Sequence, residues 1–308
     1  MQDSALSYLR HGQTPFFRLP ASREVANADV AVLGVPHDGG TTYQPGARLA
    51  PYHVRRVSAL VQSHHPVHGI DVFARLRCVD GGNIVFPPFD RAAMRMAIEA
   101  EIRQLAAAQV MPVVVGGDHS ITLPILEALG AREPLGLVHI DAHCDTGGPF
   151  EGSKFHHGGP FRQAVLAGVL DPERTIQIGI RGGAEYLWEF SYASGMTVIH
   201  AEEFQRAGLA QTIEKIRKVA GEEPTYVSFD VDSLDPAYAP GTGTPEAGGL
   251  STREAMELVR GCAGLDIVGG DVVEVAPQYD ATSNTAQAGA QMLFEILALV
   301  ALARSRRG

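Results

Sequence analysis

Cysteine is scarce in this chain: Cys78, Cys144 and Cys262 are the three in 308 residues, and no two form a CxxC pair. An odd, dispersed set excludes a disulfide framework and a thiolate zinc site, and it predicts a reducing, cytoplasmic setting. Basic charge is also short. Lys and Arg number 25 against 35 Asp and Glu, a formal charge of −10. The overall field therefore repels phosphate backbones and anionic membranes and attracts cations, which excludes nucleic acid and membrane surfaces as partners. Long apolar runs are missing too, since no stretch approaches the roughly 20 apolar residues that span a bilayer. The first residues, MQDSALSYLRHGQTPFF, have no basic segment leading into an apolar one, so no secretory leader is expected. No Ser-, Gly- or Pro-rich linker and no internal repeat divides the chain, and residues 1–308 read as one domain. What is present is an ordinary globular mixture, 45% apolar and 19% charged, long enough to bury a full core.

Short apolar, β-branched runs alternate with amphipathic stretches almost from end to end, the pattern of a parallel sheet flanked by helices. ADVAVLGVP (28–36), MPVVVGG (111–117), LGLVHIDAH (135–143), TIQIGIRG (175–182), TYVSFDVD (225–232) and DIVGGDVVEV (266–275) read as strands buried on both faces. MTVIHA and LRCVDGG are weaker strand candidates. Helical periodicity marks 92–109, 251–264 and 285–307, the last apolar nearly all round and suited to packing on the sheet and against another subunit.

Polar residues gather where the strands end. Gly-Gly-Asp-His-Ser (116–120) follows one apolar run, Asp-Ala-His-Cys-Asp-Thr (141–146) ends the next, and Asp-Val-Asp (230–232) ends another. Ligands of open parallel sheets bind at the carboxyl ends of the strands, so these segments are expected to converge. Alternation along a strand would put Asp141, His143 and Asp145 on one face and Asp230 and Asp232 on another. With His119 this makes two imidazoles and four carboxylates in one pocket. Four buried carboxylates cannot all stay ionised without compensating cations, and two divalent ions would supply them. An oxygen-rich set with one imidazole per ion favours manganese, with nickel, cobalt or iron fitting the same donors. Such a pair lowers the pKa of a shared water and so supplies a hydrolytic nucleophile. Taken singly, each segment is ordinary: an Asp-x-Asp is usually a turn or cap and a lone histidine usually structural. Three together, each closing a core strand, favour the metal site.

GGDHS, DAHCDT and SFDVDSLDPAYAPGTGTP resemble the signature segments of the ureohydrolase family, which includes arginase, agmatinase and the guanidino-acid amidinohydrolases. The resemblance runs from GVPHDGGTTYQPGAR (34–48) to the final helix. It implies a three-layer α/β/α sandwich with a mostly parallel sheet of about eight strands, assembled as homo-trimers or homo-hexamers. It also implies two Mn2+ held by His119, Asp141, His143, Asp145, Asp230 and Asp232, with Asp141 and Asp230 as candidates to bridge and Asp145 counted among the catalytic groups. Glu274, in DVVEVAPQYD, takes the family's guanidinium-binding place, for which a buried carboxylate at a strand end is suited. In KFHHGGPF (154–161), His157 precedes Gly158 and takes the place of the family's proton-shuttling histidine, with His156 as the competing assignment.

Departures cluster around the substrate's tail. Gly159 stands where the family carries Thr or Ser, Thr146 leads into Gly147, Gly148 and Pro149, and His37 is an unusual choice near the pocket mouth. His156, Gly159 and Arg162 are the candidate tail-binding positions, Arg181 being a second cation at the rim. TIQIGIRG and the 226–249 segment are most similar to the guanidinobutyrase, guanidinopropionase and proclavaminate amidinohydrolase branch. The implied reaction is hydrolysis of a guanidino acid to urea and an amine. Agmatine, free guanidine and a biguanide such as metformin stay open as alternatives, as does a non-catalytic subunit paired with an active paralogue. A one-zinc deacetylase on a related sheet is disfavoured by the six-ligand set.

Overall fold

The computed structural model describes residues 14–25, 27–183 and 185–306, the side chains of Glu185 and Tyr186 excepted. The N-terminal stretch read for a leader lies mostly outside the described residues, as does the last residue of the helix expected to run to 307. In chain order the strands are β1 (Val30–Gly34), the two-residue pair β2 (His64–His65) and β3 (Ile70–Asp71), β4 (Cys78–Asn83), β5 (Met111–Val115), β6 (Leu135–Ile140), β7 (Leu170–Ile180), β8 (Thr197–His200), β9 (Thr225–Asp230) and β10 (Ile267–Val273). All eight apolar runs, the two weaker ones included, are strands of one sheet ordered β4-β1-β5-β10-β9-β6-β7-β8, and every pairing within it is parallel.

The helices are α1 (Ala50–Ser58), α2 (Val72–Arg75), α3 (Arg91–Ala107), α4 (Thr122–Leu129), α5 (Pro160–Leu166), α6 (Glu185–Ser194), α7 (Ala201–Ala220), α8 (Thr252–Gly261) and α9 (Asn284–Arg304). Three of them match the periodic segments. The longest that periodicity missed is α7, whose helical repeat is interrupted at Gly208, φ 76°.

Strand alternation sorts the core into two layers. Val30 and Val32, Val113 and Val115, and Val138 and Ile140 face α1, α7, α8 and α9. Ala31 and Leu33, Val114, and Leu137 face α3, α4 and α5 on the other side. Helices on both faces of a parallel sheet make the expected three-layer sandwich. One expectation needs correction: α9 is a 21-residue helix of mean hydropathy 1.6, apolar and long enough to cross a membrane by composition. In the fold 83% of that apolar window is buried, so its hydropathy is spent on the sheet and on α1 and α8.

Candidate metal centre and substrate cavity

In the sheet order β5, β10, β9 and β6 are neighbours, and their carboxyl ends deliver the polar segments to one place. His119 sits four residues past the end of β5, Glu274 follows β10, Asp230 closes β9, and Asp141, His143 and Asp145 follow β6. The strand-face reasoning for these ligands does not hold in detail. β6 ends at Ile140, so Asp141, His143 and Asp145 lie on a loop whose turn puts Asp145 at φ 50°, and Asp232 lies on a 3-10 turn at Val231–Ser233. Hydrogen bonds from the backbone curl both loops over the sheet end. Asp230 Oδ1 accepts the Asp232 N–H at 2.8 Å, Asp141 Oδ1 the His143 N–H at 2.6 Å, and Asp232 Oδ1 the Ala142 N–H at 3.1 Å.

All six residues converge. His119 Nδ1 lies 2.9 Å from Asp145 Oδ2, 3.1 Å from Asp141 Oδ2 and 3.3 Å from Asp230 Oδ2. His143 Nδ1 lies 3.1 Å from Asp232 Oδ2 and 3.5 Å from Asp141 Oδ1. Asp141 thus stands between two clusters with one oxygen toward each imidazole. Asp145 holds its left-handed backbone without being glycine, a conformation that costs about 1–3 kcal/mol and collects at functional sites.

Donor accounting settles which ring atom is offered. Ser228 Oγ donates to Asp271 Oδ1 at 2.6 Å, so its lone pairs are what His119 Nε2 meets at 2.8 Å. Nε2 therefore carries a proton and is committed to Ser228, so Nδ1, ringed by three carboxylate oxygens, is the atom left for an ion. Without one, burial acts to lower the ring's pKa, but the Asp141, Asp145 and Asp230 carboxylates outweigh it and push the pKa well up, favouring a proton there. Three carboxylates facing one ring nitrogen need positive charge among them, supplied by a proton on Nδ1 or, in its place, by a metal ion. The charges agree: burial, then the Asp232 and Asp141 carboxylates, push the Asp230 carboxyl well above its ordinary range. For Asp141 burial also acts upward, but His139, His119 and His143 outweigh it and hold it low. A largely buried, oxygen-rich set with one imidazole in each cluster fits a pair of divalent ions.

The sequence reading missed two residues that orient this set. His139 Nε2 meets Asp141 Oδ2 at 2.7 Å while its Nδ1 accepts from Gln177 Nε2 at 3.0 Å, so His139 donates to the shared carboxylate and steers it. Its signal was its place two residues before Asp141 in LVHIDAH. Asp271 accepts hydroxyls from Ser228, Thr122 and Tyr226, a polar knot inside β10 that spacing alone does not announce. Phe161 packs against the His119 and His139 rings at 5.2 and 4.4 Å and keeps the underside dry.

His157 Nδ1 lies 2.9 Å from Glu274 Oε1, which also accepts the His119 N–H at 2.8 Å. Burial acts to lower the His157 pKa, but the Glu274 carboxylate outweighs it and raises the ring to about 9. Burial pushes Glu274 itself up, opposed by His157. Among the described residues no donor meets Glu274 Oε2. Glu274, like Asp145, has a left-handed backbone, φ 64°. His156 lines the same cavity without meeting Glu274: its Nε2 meets Gly148 O at 2.8 Å and its ring lies 6.0 Å from that of Phe150, so it braces the 147–150 loop. Gly159 makes room for it, since a Cβ at 159 would come within 3.1 Å of His156 Nε2.

A cavity of about 680 Å³ runs from Asp145, Asp230, Asp232 and His143 past His157 and Thr42 to Phe150, Arg162, Leu187 and Glu246. Arg162 stacks its guanidinium 4.6 Å from the Phe190 ring, and among the described residues no carboxylate pairs with it. Glu246 places Oε1 3.7 Å from His143 Nε2. Arg181 is not a rim cation. Its guanidinium is consumed by the carbonyls of Gly179, Asp232, Ser233, Leu234, Glu246 and Ala247, and it fastens the Asp230–Asp232 loop. His37 is likewise not at the mouth: it is buried against Phe86, with Nε2 4.0 Å from Asp118 Oδ2, and burial lowers its pKa.

Comparison with known proteins agrees with this geometry. The model of the arginase family matches residues 28–299. A guanidinopropionase of Pseudomonas aeruginosa is 48% identical over 298 residues, 96% of this chain and 94% of that protein. A mitochondrial agmatinase of Gallus gallus is 42% identical over 94% of this chain and 86% of its own. The solved proclavaminate amidino hydrolase from Streptomyces clavuligerus superposes with a TM-score of 0.91 at 39% identity, covering 96% of this chain and 99% of that one.

Proposed function

This chain belongs to the arginase family of amidinohydrolases, and on that premise we propose that it hydrolyses a guanidino acid, such as 3-guanidinopropionate or 4-guanidinobutyrate, to urea and the matching amino acid. The observation that carries the tail assignment is the guanidinium of Arg162, with no carboxylate paired to it among the described residues, on the wall of a cavity also lined by His143, Asp145, Asp230 and Asp232 of the cluster. An unpaired arginine fork takes a carboxylate bidentately. The relatives named guanidinopropionase and guanidinobutyrase are consistent with it.

His119, Asp141, Asp145 and Asp230 would hold one divalent ion, and His143, Asp141, Asp230 and Asp232 the other. Manganese is our assignment, and nickel or cobalt suits the same donors. When bound, the pair supplies activated water and charge stabilisation at the guanidinium carbon. Glu274 offers its open Oε2 to the guanidinium N–H groups. The protonated His157 is the acid from which the leaving nitrogen's proton ultimately comes as its bond to carbon breaks and the bonding electrons pass to nitrogen. Asp271 and Ser228 hold His119, and Arg181 holds the Asp230–Asp232 loop. Assembly as a homo-trimer or homo-hexamer is part of the same proposal, with light scattering as its check.

Glu246 favours a second reading, a cationic tail as in agmatine. The deciding experiment is urea release by the manganese-loaded protein over 3-guanidinopropionate, 4-guanidinobutyrate, agmatine, arginine, guanidine and metformin, repeated with Arg162→Met. Guanidino acids are expected to lead and to lose most with Arg162→Met. Preference for agmatine, with Arg162→Met neutral, would replace the first reading by the second.

A further inference from the structure

Both ring nitrogens of His157 are engaged within the protein. Nδ1 faces Glu274, and Nε2, the atom left to serve a substrate, lies 2.7 Å from Thr42 Oγ1 and 3.1 Å from the Thr42 N–H. Thr42 is itself exposed and lines the cavity. Its loop is anchored at several points. Asp118 Oδ2 accepts the Gly40 N–H at 2.6 Å, Gly40 O accepts the His157 N–H at 3.0 Å, and Asp38 Oδ2 accepts the Gly46 N–H at 2.8 Å. The hydroxyl is thus fixed against His157 by the backbone of both partners, while its proton can rotate toward the cavity.

We propose that Thr42 is a catalytic residue, the last member of a relay Glu274–His157–Thr42 that delivers the proton to the leaving nitrogen. This rests on the amidinohydrolase reading above. The Thr42 N–H contact is that of the neutral ring; once protonated, Nε2 gives it up and donates to Oγ1. Because a hydroxyl has one donor and two acceptor sites, Thr42 can accept that bond and donate into the cavity at once. As the bond between the guanidinium carbon and the leaving nitrogen breaks, its electron pair passes to nitrogen, which takes the Thr42 hydroxyl proton. The Nε2 proton of His157 moves to Oγ1 in its place. Threonine ends unchanged, and the ring ends neutral with Nδ1–H on Glu274 and Nε2 accepting from the Thr42 N–H and O–H. The ring regains a proton from solvent before the next turnover. Thr42→Val keeps the shape and the backbone N–H and removes only the hydroxyl.

The test compares the manganese-loaded wild type, Thr42→Val and Thr42→Ser on the best substrate of the panel, measuring kcat, KM and the solvent deuterium isotope effect on kcat. Bound metal and melting temperature are checked first for equality. Thr42→Val is expected to lose about 100-fold in kcat, the scale of a general acid, with KM little changed and a larger isotope effect as proton delivery becomes limiting. Thr42→Ser is expected to restore both. A Thr42→Val enzyme with wild-type kcat overturns the relay, and so do equal losses in Val and Ser with an unmoved isotope effect. A wild type that releases urea from nothing on the panel overturns the proposed function instead.

Discussion

Ser228→Ala tests the metal centre without touching a ligand. In the native protein Ser228 Oγ spends its proton on Asp271 and accepts from His119 Nε2 at 2.8 Å, which holds a proton on Nε2 and leaves Nδ1 as the atom for an ion. Removing the hydroxyl strips a buried N–H of its acceptor, a cost of about 1–3 kcal/mol. The ring has a way to recover it. With Asp145 Oδ2 2.9 Å and Asp141 Oδ2 3.1 Å from Nδ1, the proton can move to Nδ1 and bond a carboxylate there. An ion must then displace that proton. The loss should fall on ion affinity more than on the apo fold, by roughly 10–100-fold at the His119 side, equivalent to about 1.4–2.7 kcal/mol. Calorimetric titration of apo-protein with Mn2+ measures it directly, with Ser228→Thr as the control that restores a hydroxyl. Two ions bound by Ser228→Ala as tightly as by the wild type would refute the tautomer assignment and, with it, the choice of Nδ1 as the donor atom.

Other outcomes follow from the same geometry. A Cβ at Gly182 would sit 2.5 Å from His143 Nε2, so Gly182→Ala should displace His143 and reduce bound metal from two ions per chain to one, read by elemental analysis after gel filtration. Asp230→Ala should abolish urea release and lower metal content together, whereas Glu274→Ala should cripple turnover with both ions retained. Metal loss in the Glu274 variant would overturn its role. Asp280 caps the start of α9 by accepting the N–H groups of Thr282, Ser283 and Thr285, at 2.8, 3.0 and 2.7 Å. Burial pushes its carboxyl up, but these donors outweigh burial and hold it at about 2. A depressed pKa stabilises the fold above the ordinary value near 3.8, and that stability fades as pH falls toward about 2. Asp280→Ala should therefore cost about 1–2 kcal/mol at pH 7 in urea denaturation, with the gap to wild type narrowing below pH about 4. A pH-independent gap would assign the loss to packing.

Sequence alone determined the sheet and which polar residues gather at its end. β-branched runs buried on both faces have few alternatives to parallel strands, and the carboxylates and imidazoles that could serve an ion stood at the ends of those runs. Glu274 and His157 were legible through the resemblance of their segments, while His139 was legible in principle from its place on the same strand. The strand-pleat argument placed the ligands together for an inexact reason, because the loops after β6 and β9 turn through local hydrogen bonds that alternation does not describe. What only the tertiary structure decided is which atom of each side chain does what. Ser228 meets His119 across 109 residues of chain, Glu274 meets His157 across 117, and Thr42 meets His157 across 115. Those contacts commit ring nitrogens, consume Arg181 while leaving Arg162 without a carboxylate among the described residues, and bury His37 away from the mouth. Hydrogen-bond roles depend on partners within about 3 Å, and strand periodicity carries no information about partners brought together only when separate loops close over one sheet end.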